Sequence, residues 1–251
     1  MQFASPVTNA KPIHDQPKNL RSEEIRTDLL SRLFSASLYT ARYDLANSTL
    51  GLLRDEALKG NYLRTLIITM CESQSVGELL SLPWLGMEDK VDCCLSVKSQ
   101  SVVDVNAGVP WHMILYSWRI RRGDFRSAAS VAYERLQKLQ VLAETDGGSK
   151  MVLRNGQYEW DERRGRDELD SEVTRAYLQV INALACVEGE QAWIFVEPVV
   201  GKKGEEGRKR RVVRIEELRK ALSEEIEKEE DLRRGRFAFG EENGRDEVMS
   251  G

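Results

Sequence analysis

The stretch at 111–142, WHMILYSWRIRRGDFRSAASVAYERLQKLQVL, constrains the fold more than any other part of the sequence. In its first half, apolar residues recur at i, i+3, i+4 and i+7, and a second apolar strip lies beside this face. A helix that is apolar on two sides needs neighbours on two sides. Gly123 suits the left-handed position after a helix, and Asp124 suits the N-cap of the next one. The stretch therefore predicts a helical hairpin inside a stack of helices.

The second helix of this hairpin and the segments before it extend the pattern. Ala128, Ala129 and Ala132 are small enough to let a partner helix approach closely. Further helices are predicted at 22–34, 39–53, 55–70, 75–82 and 86–103. They show no tetratricopeptide signature and no strict repeat of about 34 residues. The sequence therefore predicts an all-α fold, an irregular α-helical solenoid of stacked helical hairpins.

Two details of the N-terminal half are specific enough to be tested by a structure. The first helix has an N-cap candidate at Ser22 and an apolar stripe that we expect to face inward. This stripe consists of Ile25, Leu29, Leu30, Leu33 and Phe34. The helix at 75–82 is stopped by Pro83, and Trp84 and Leu85 are expected to pack between layers after it.

The regular pattern lapses after residue 142, and this sets the expected domain organisation. We predict a linker or disordered segment at 1–20, an α-helical solenoid part at 21–143, a mobile loop at 144–170, C-terminal helices at 171–232 with a disordered loop at 199–211, and a disordered tail at 233–251. Inside the mobile loop, the turn signal at Gly156 leaves a brief β-hairpin open as an alternative. Tyr158 and Trp160 either pack back onto the domain or wait for a partner.

The C-terminal helices begin with the clearest helical periodicity in the chain. Between residues 173 and 185, apolar side chains follow the i, i+3, i+4, i+7, i+8 pattern of one helix face. A short apolar run at 192–196 comes next and is closed by Pro198. The last helix, at 216–230, is highly charged. Its thin apolar stripe consists of Ile215, Leu218, Leu222 and Ile226. Because so polar a helix is marginal alone, we expect it to need a docking groove.

No constellation of residues predicts catalysis, a metal or a cofactor. The only histidines are His14 and His112, and there is no phosphate-binding glycine loop or nucleophile elbow. Paired carboxylates fall on solvated helix faces. The four cysteines are Cys71, Cys93, Cys94 and Cys186. They lack C-x-x-C spacing, so we interpret them as small buried residues in a reducing compartment. We expect no enzyme activity, no cofactor and no small-molecule substrate.

Charge and hydropathy exclude further classes. The 251 residues include 41 acidic and 37 basic side chains, and a net charge of −4 gives no global attraction to nucleic acid or anionic membranes. No apolar run reaches the roughly 18–20 residues of a membrane span. The segment at 1–18 lacks the apolar core of a signal peptide and reads as a linker. We therefore expect the chain to be an excised piece of a longer protein.

One basic run supports an alternative function. The run at 202–211 contains Lys202, Lys203, Arg208, Lys209, Arg210 and Arg211. Two carboxylates, Glu205 and Glu206, oppose these cations. The run could act as a nucleic-acid or import-receptor binding module. A solvated loop is the interpretation we favour, because no aromatic residues are interleaved for stacking on bases.

An ordered series of motifs occupies the second half of the chain. It comprises Arg-Arg-Gly-Asp-Phe-Arg-x-Ala-Ala at 121–129, Tyr-Glu at 133–134, Ala-Tyr-Leu-x-x-Ile-Asn-x-Leu at 176–184, Ala-Trp-Ile at 192–194 and Ile-Glu-Glu-Leu at 215–218. In this order and spacing, the series resembles the C-terminal part of the nucleoporin-120/nucleoporin-160 family, long-arm subunits of the Y-shaped nuclear pore coat. The stretch at 19–82 fits the family's helical region only in type. The loops at 147–166 and 201–211 depart from the family pattern, and the family's β-propeller is absent.

The resemblance implies a structural scaffold subunit of the outer ring of the nuclear pore complex, at the nuclear envelope. Such a subunit would support nucleocytoplasmic transport of protein and mRNA, and its C-terminal helices would dock other coat nucleoporins at the hub of the Y. Neither a membrane span nor a nucleic-acid partner is expected. The candidate partner-binding residues are Tyr177, Ile181, Trp193, Ile215, Leu218, Leu222 and Ile226. For Tyr177, Ile181 and Trp193, packing in the chain's own core is the alternative that regular apolar spacing favours.

Overall fold

The computed structural model describes residues 16–145, 151–154, 157–160, 172–196 and 211–233, and these residues alone are considered below. They contain nine α-helices and two antiparallel pairs of short strands. The predicted all-α fold class is therefore confirmed. The chain forms two compact units, Met1–Val97 and Lys98–Gly251, and the boundary between them falls within a helix. The sequence did not predict this boundary, and its finer division into segments stays a prediction.

Unit 1 is a succession of helices joined by short turns. These helices are α1 (Gln16–Tyr39), α2 (Tyr43–Leu52), α3 (Glu56–Glu72), α4 (Val76–Ser81) and the first part of α5 (Glu88–Ser101). Asp55 caps α3, because its carboxylate accepts hydrogen bonds from the backbone N–H groups of Ala57 and Leu58 at 2.9 and 3.1 Å. The cap explains why α3 begins where it does.

Side chains from separate helices hold unit 1 together. The rings of Phe34 in α1 and Tyr62 in α3 stack with their centroids 4.5 Å apart. The hydroxyl of Tyr43 lies 2.8 Å from that of Ser73 at the end of α3. Trp84 is buried, and its indole N–H donates to the carbonyl of Leu79 at 2.9 Å. Its predicted packing role is confirmed, whereas the same prediction for Leu85, which is 84% exposed, is wrong.

The first helix departs from its sequence interpretation in two ways. α1 begins at Gln16, so Ser22 lies inside the helix and the prediction that it is the N-cap is wrong. The inward stripe is also wrong in part, because Ile25, Leu29 and Leu33 are 55%, 60% and 40% exposed. Phe34 is buried, on the side that faces α2 and α3. Periodicity located an apolar stripe, but no described element of unit 1 covers most of it.

Unit 2 contains the central hairpin and the C-terminal elements. They are α6 (Trp111–Arg121), α7 (Phe125–Thr145), β1 (Met151–Arg154), β2 (Gln157–Trp160), α8 (Glu172–Ala185), β3 (Trp193–Val196), β4 (Arg211–Arg214) and α9 (Ile215–Arg233). The predicted hairpin turn is confirmed. Gly123 has φ +76°, a conformation that favours glycine, and the Asp124 carboxylate accepts from the backbone N–H of Ser127 at 3.2 Å.

The strands are the part of the fold that the sequence described least well. β1 and β2 pair antiparallel, with Met151 opposite Trp160, so the hairpin alternative holds within the segment read as a mobile loop. The side-chain surroundings of Tyr158 and Trp160 lie outside the described residues. β3 pairs antiparallel with β4, and Trp193 is opposite Arg214. Arg211, placed by the sequence in a disordered loop, is the first residue of β4.

The core of unit 2 forms where α7, α8, α9 and the β3–β4 pair meet. Ala129, Ala132, Ala176 and Ala183 are at most 1% exposed, and their small size lets α7 and α8 lie close together. The remaining buried members are chiefly Val, Ile and Leu residues of these same elements. This core positions the surfaces that follow.

Candidate partner-binding surfaces

α8 lies at the centre of the unit 2 core, so two of the predicted partner-binding residues face inward. Tyr177 is 7% and Ile181 8% exposed. The side-chain amide of Gln140 on α7 donates to the Tyr177 hydroxyl at 2.9 Å. Burial raises the pKa of this phenol above its ordinary value. Tyr177 and Ile181 therefore join α8 to its neighbours in the same chain, the alternative that their spacing favoured.

The apolar stripe of α9 becomes less covered along the helix. Ile215 and Leu218 are buried in the unit 2 core at 7% and 2% exposure. Leu222 is half-buried and packs against the edge of that core. Ile226, one turn further on, is half-buried and is not part of the core. The first half of the stripe thus docks α9 onto its own chain, as a polar helix requires, and the second half remains partly accessible.

The β3–β4 pair, called the ribbon below, has one buried and one exposed face. Ile194, Val196 and Val213 are buried in the core. The side chains between them point to the other face because strands alternate. On that face, Phe195 is 60% and Val212 41% exposed, and the two are opposite each other in the pairing.

Trp193 lies on the exposed face of the ribbon between an aromatic and a cationic neighbour. Its ring makes an edge contact with that of Phe195 at a centroid distance of 4.7 Å. The Arg126 guanidinium of α7 lies 4.4 Å from the Trp193 ring centroid. Arg126 also donates to the carbonyl oxygen of Gln191 at 2.9 Å. The start of α7 thereby fixes the orientation of Trp193, which is half-buried and accessible from one side.

A polar cluster crosses α6, α7 and the end of α5. His112, which is 3% exposed, has its Nε2 atom 3.6 Å from Glu134 Oε1. The Lys138 ammonium lies 2.9 Å from the same oxygen and donates to the carbonyls of Ser99 and Val102. His112 and Lys138 together lower the pKa of Glu134 to about 2, and the shorter distance makes Lys138 the direct hydrogen-bond donor. All the groups are engaged with one another, which is typical of a structural cluster.

The cysteines agree with the sequence interpretation only in part. Cys71 is buried, and burial raises the pKa of its thiol to about 12, so it stays protonated. Cys94 is half-buried. Cys93 and Cys186 are exposed, so the prediction that all four are buried is wrong for these two. Cys93 lies off the apolar stripe of α5, and Cys186 follows the last residue of α8.

The basic run lies almost entirely outside the described residues. Arg211 is its one described member, and its guanidinium pairs with Glu217 at 2.6 Å. The nucleic-acid or import-receptor module therefore stays a prediction. Within the described residues, no group of three or more His, Cys, Asp or Glu side chains could hold a metal ion. None of the described helices combines the length and hydropathy needed to cross a membrane.

Sequence reasoning missed Phe195, Val212, Arg126 and Arg214. The run at 192–196 is apolar at every position, so it carries no alternation that would distinguish the two faces of a strand. It pairs with 211–214 across a connection of many residues, so no short turn motif in the sequence predicts the pairing. Arg126 was visible only as part of a motif, and its contact with Trp193 depends on the packing of α7 against β3.

The described elements define a protein built from paired helices, with partly covered apolar surfaces near its C-terminal end. The family model NUP160/120 middle TPR matches residues 18–153. The chain belongs to the NUP160/120 family of nucleoporins, proteins of the nuclear pore complex. The matched residues include the central hairpin, which thus belongs to the family's middle region. They also include the N-terminal helices, for which the sequence motifs had indicated only a general similarity to the family's helical region.

Individual relatives agree with the family model. The chain is 45% identical to Nucleoporin NUP120 of Chaetomium thermophilum over 190 residues, which are 74% of this chain and 14% of that protein. It is 22% identical to Nucleoporin nup120 of Schizosaccharomyces pombe over 182 residues, 72% of this chain and 14% of that protein. Human Nuclear pore complex protein Nup160 is 24% identical over 147 residues, 59% of this chain and 9% of that protein. The chain thus spans a small part of the length of these relatives.

Proposed function

We propose that this chain is a non-catalytic scaffold segment of the nuclear pore outer ring that docks other coat nucleoporins through its C-terminal helices. The docking takes place at the hub of the Y-shaped coat and so supports nucleocytoplasmic transport of protein and mRNA. Family membership supports the scaffold role. The hub and the transport role rest on the motif resemblance in the second half of the chain.

The observation that carries the docking proposal is the gradient of burial along α9. Leu218 is 2% exposed, whereas Leu222 and Ile226 are only half-buried. An apolar stripe that continues beyond the chain's own core is unfavourable in water, and its burial against a partner lowers the free energy. Because Leu218, Ile215, Tyr177 and Ile181 are buried, they act as supports for the docking surface. Leu222 and Ile226 are the accessible members of the stripe, and Trp193 is accessible on the ribbon rather than on α9.

The test uses a tagged chain incubated with nuclear pore extract, followed by identification of co-eluting coat nucleoporins. Replacing Ile226 by Asp places a charge on the accessible stripe, and we expect a reduction in co-elution of about tenfold or more. Lys220→Asp introduces the same side chain on the exposed side of α9, where the Lys220 side chain is 80% exposed, and serves as the matched control. Leu218→Asp is expected to destabilise the core itself.

Circular dichroism separates loss of binding from loss of fold. Ile226→Asp and Lys220→Asp should both keep the helical signal and the unfolding midpoint close to the unmodified chain. Equal co-elution of coat nucleoporins with both folded variants would rule out the α9 stripe as the docking surface. Absence of any coat nucleoporin from the eluate of the unmodified chain would contradict the docking function as a whole.

A further inference from the structure

We propose that the exposed face of the ribbon binds an acidic amphipathic helix of a partner protein, one whose apolar side chains are flanked by carboxylates. The inference deepens the proposed function and rests on it, since a scaffold segment must meet partners. It names a second surface, separate from the α9 stripe, and the chemistry of the segment that fits it. The ribbon patch is defined as Trp193, Phe195, Val212, Arg214 and Arg126.

The apolar side chains of the patch are not required for folding. The opposite face of the ribbon supplies Ile194, Val196 and Val213 to the core, and these residues anchor both strands. Phe195 and Val212 contribute little to that core, because 60% and 41% of their surface faces solvent. An exposed aromatic beside an exposed aliphatic residue at cross-strand spacing is costly in water and typical of binding surfaces.

The patch is also held in one conformation before a partner arrives. Phe195 rests against the edge of Trp193 at 4.7 Å between ring centroids. Arg126 covers one face of Trp193 at 4.4 Å and is itself held by the carbonyl and side-chain oxygens of Gln191. Side chains ordered in advance lose less entropy on binding. Trp, Phe and Arg are also among the residues that interfaces favour.

The charge of the patch identifies its occupant. Arg214 is exposed and lies directly opposite Trp193 in the pairing. Within the described parts of the chain, neither Arg214 nor Arg126 forms an ion pair with a carboxylate, whereas Arg211 on the other side of the ribbon pairs with Glu217. Two guanidinium groups that pair with no described carboxylate, beside an aromatic pair, match an apolar segment that carries Glu or Asp.

The sequence between the two strands also carries a net positive charge. Residues 197–210, which join β3 to β4 in the sequence, contain Lys202, Lys203, Arg208, Lys209 and Arg210. The carboxylates in the same segment are Glu197, Glu205 and Glu206. The excess of cations in this part of the sequence favours acidic over basic partners and would accelerate their association.

The size of the patch fits one face of a helix. Each strand contributes only two residues to the exposed face, so the apolar part accommodates about one pair of side chains. Apolar residues at i and i+4 of a helix have Cβ atoms roughly 5–6 Å apart, close to the 4.7 Å between the Trp193 and Phe195 rings. Carboxylates on the flanks of that helix would then reach Arg126 and Arg214.

The experiment measures binding of two fluorescent synthetic helical peptides to the full chain by anisotropy. Both peptides have leucines at the same positions, and the flanking residues are glutamates in one and lysines in the other. We expect the glutamate peptide to bind with roughly micromolar affinity, as small interfaces do, and the lysine peptide to bind at least about tenfold more weakly. Added salt should weaken binding of the glutamate peptide.

Two variants test the patch through different forces. Phe195→Ser removes the apolar contact, and Arg214→Glu reverses a charge without touching the core, so each should weaken the glutamate peptide about tenfold. Leu85→Ser, at an 84% exposed apolar residue, and Lys220→Glu, at an exposed lysine, are the matched controls and should leave binding unchanged. Circular dichroism checks that all four variants fold.

The outcomes separate this inference from the proposed function. Equal affinity for both peptides, no binding of the glutamate peptide, or binding unchanged by Phe195→Ser and Arg214→Glu would overturn the ribbon patch as an acidic-helix site. If Ile226→Asp nevertheless abolishes co-elution of coat nucleoporins, the docking function stands and only the ribbon inference fails. If the ribbon variants weaken peptide binding while Ile226→Asp leaves co-elution intact, the ribbon inference stands and only the α9 stripe fails as a docking surface.

Discussion

α1 and α8 carry the same kind of sequence pattern, but the apolar stripe of α8 is buried and that of α1 is largely exposed. Both repeat apolar residues at helical spacing. In α8 the stripe is covered by α7 and α9, so Val180 and Leu184 are fully buried. In α1, Leu29 is 60% exposed, and among the described elements α2 and α3 cover only the side that bears Phe34. A periodic stripe therefore shows that a helix needs a neighbour, and only the packing shows whether the same chain provides it.

The strongest test of this comparison truncates one leucine in each helix. Leu184→Ala in α8 should lower the free energy of unfolding by about 3 kcal/mol, because it removes buried apolar surface and leaves a cavity. Leu29→Ala in α1 should change it by less than about 0.5 kcal/mol. Urea unfolding followed by circular dichroism measures both. A loss of similar size at Leu29 would mean that the α1 stripe is covered in solution.

A second test compares a partly buried carboxylate with an exposed one. The pKa of Glu134 is lowered from 4.5 to about 2, chiefly by His112 and Lys138. Since the folded pKa is depressed, the stabilisation is present above pH 4.5 and is lost as the pH falls toward 2. We expect Glu134→Gln to remove on the order of 1–2 kcal/mol at pH 7, since partial exposure of the carboxylate screens the interaction.

The matched carboxylate in unit 1 is Glu56, whose pKa is lowered by Lys90 and Lys59 at an exposed position. Glu56→Gln should have a much smaller effect than Glu134→Gln. The measurement is the urea midpoint at pH 7 and at pH 3 for both variants and the unmodified chain. Between these two pH values the Glu134→Gln variant should lose less stability than the unmodified chain does. An identical pH dependence would argue against a stabilising Glu134 cluster.

The smallest expected effects come from two glycines and have opposite signs. Gly123 has φ +76°, so Gly123→Ala strains the turn between α6 and α7 and should cost about 1 kcal/mol. Gly51 lies in α2, where an added Cβ has nothing within 4 Å, so Gly51→Ala should stabilise by about 0.5 kcal/mol. Thermal unfolding of the two variants provides the measurement. A stabilising Gly123→Ala would show that the turn conformation does not constrain the hairpin.

The sequence predicted those parts of the molecule in which local chemistry decides the structure. The turn at Gly123, the cap at Asp124 and the stop at Pro83 each depend on a single residue type, and all three are found. The burial of α8 was also predictable, because its periodicity is strong and the helices beside it present small residues.

The parts that the sequence did not predict depend on distant residues. β3 and β4 pair across a long connection, and the exposure of Phe195 follows from which face the core takes. The partner-binding residues proposed from periodicity were mostly core residues for the same reason, since apolar spacing identifies burial before binding. The accessible candidates, Ile226 and Trp193, could be distinguished from Leu218 and Tyr177 only once the neighbours of each side chain were known.

Lys138 links the end of α5 to α7, so the local stability of this helix end depends on a side chain of another helix. The last turn of a helix leaves carbonyl oxygens short of intrahelical donors. Here the Ser99 carbonyl accepts the Val102 N–H at 3.3 Å and the Lys138 ammonium of α7 at 3.2 Å, and the Val102 carbonyl, just after α5, accepts from the same ammonium at 2.8 Å. Lys138 of α7 therefore helps to order the backbone at 99–102. Susceptibility of this segment to a protease or to amide exchange therefore reports on the packing of α7 as well as on the helix propensity of α5.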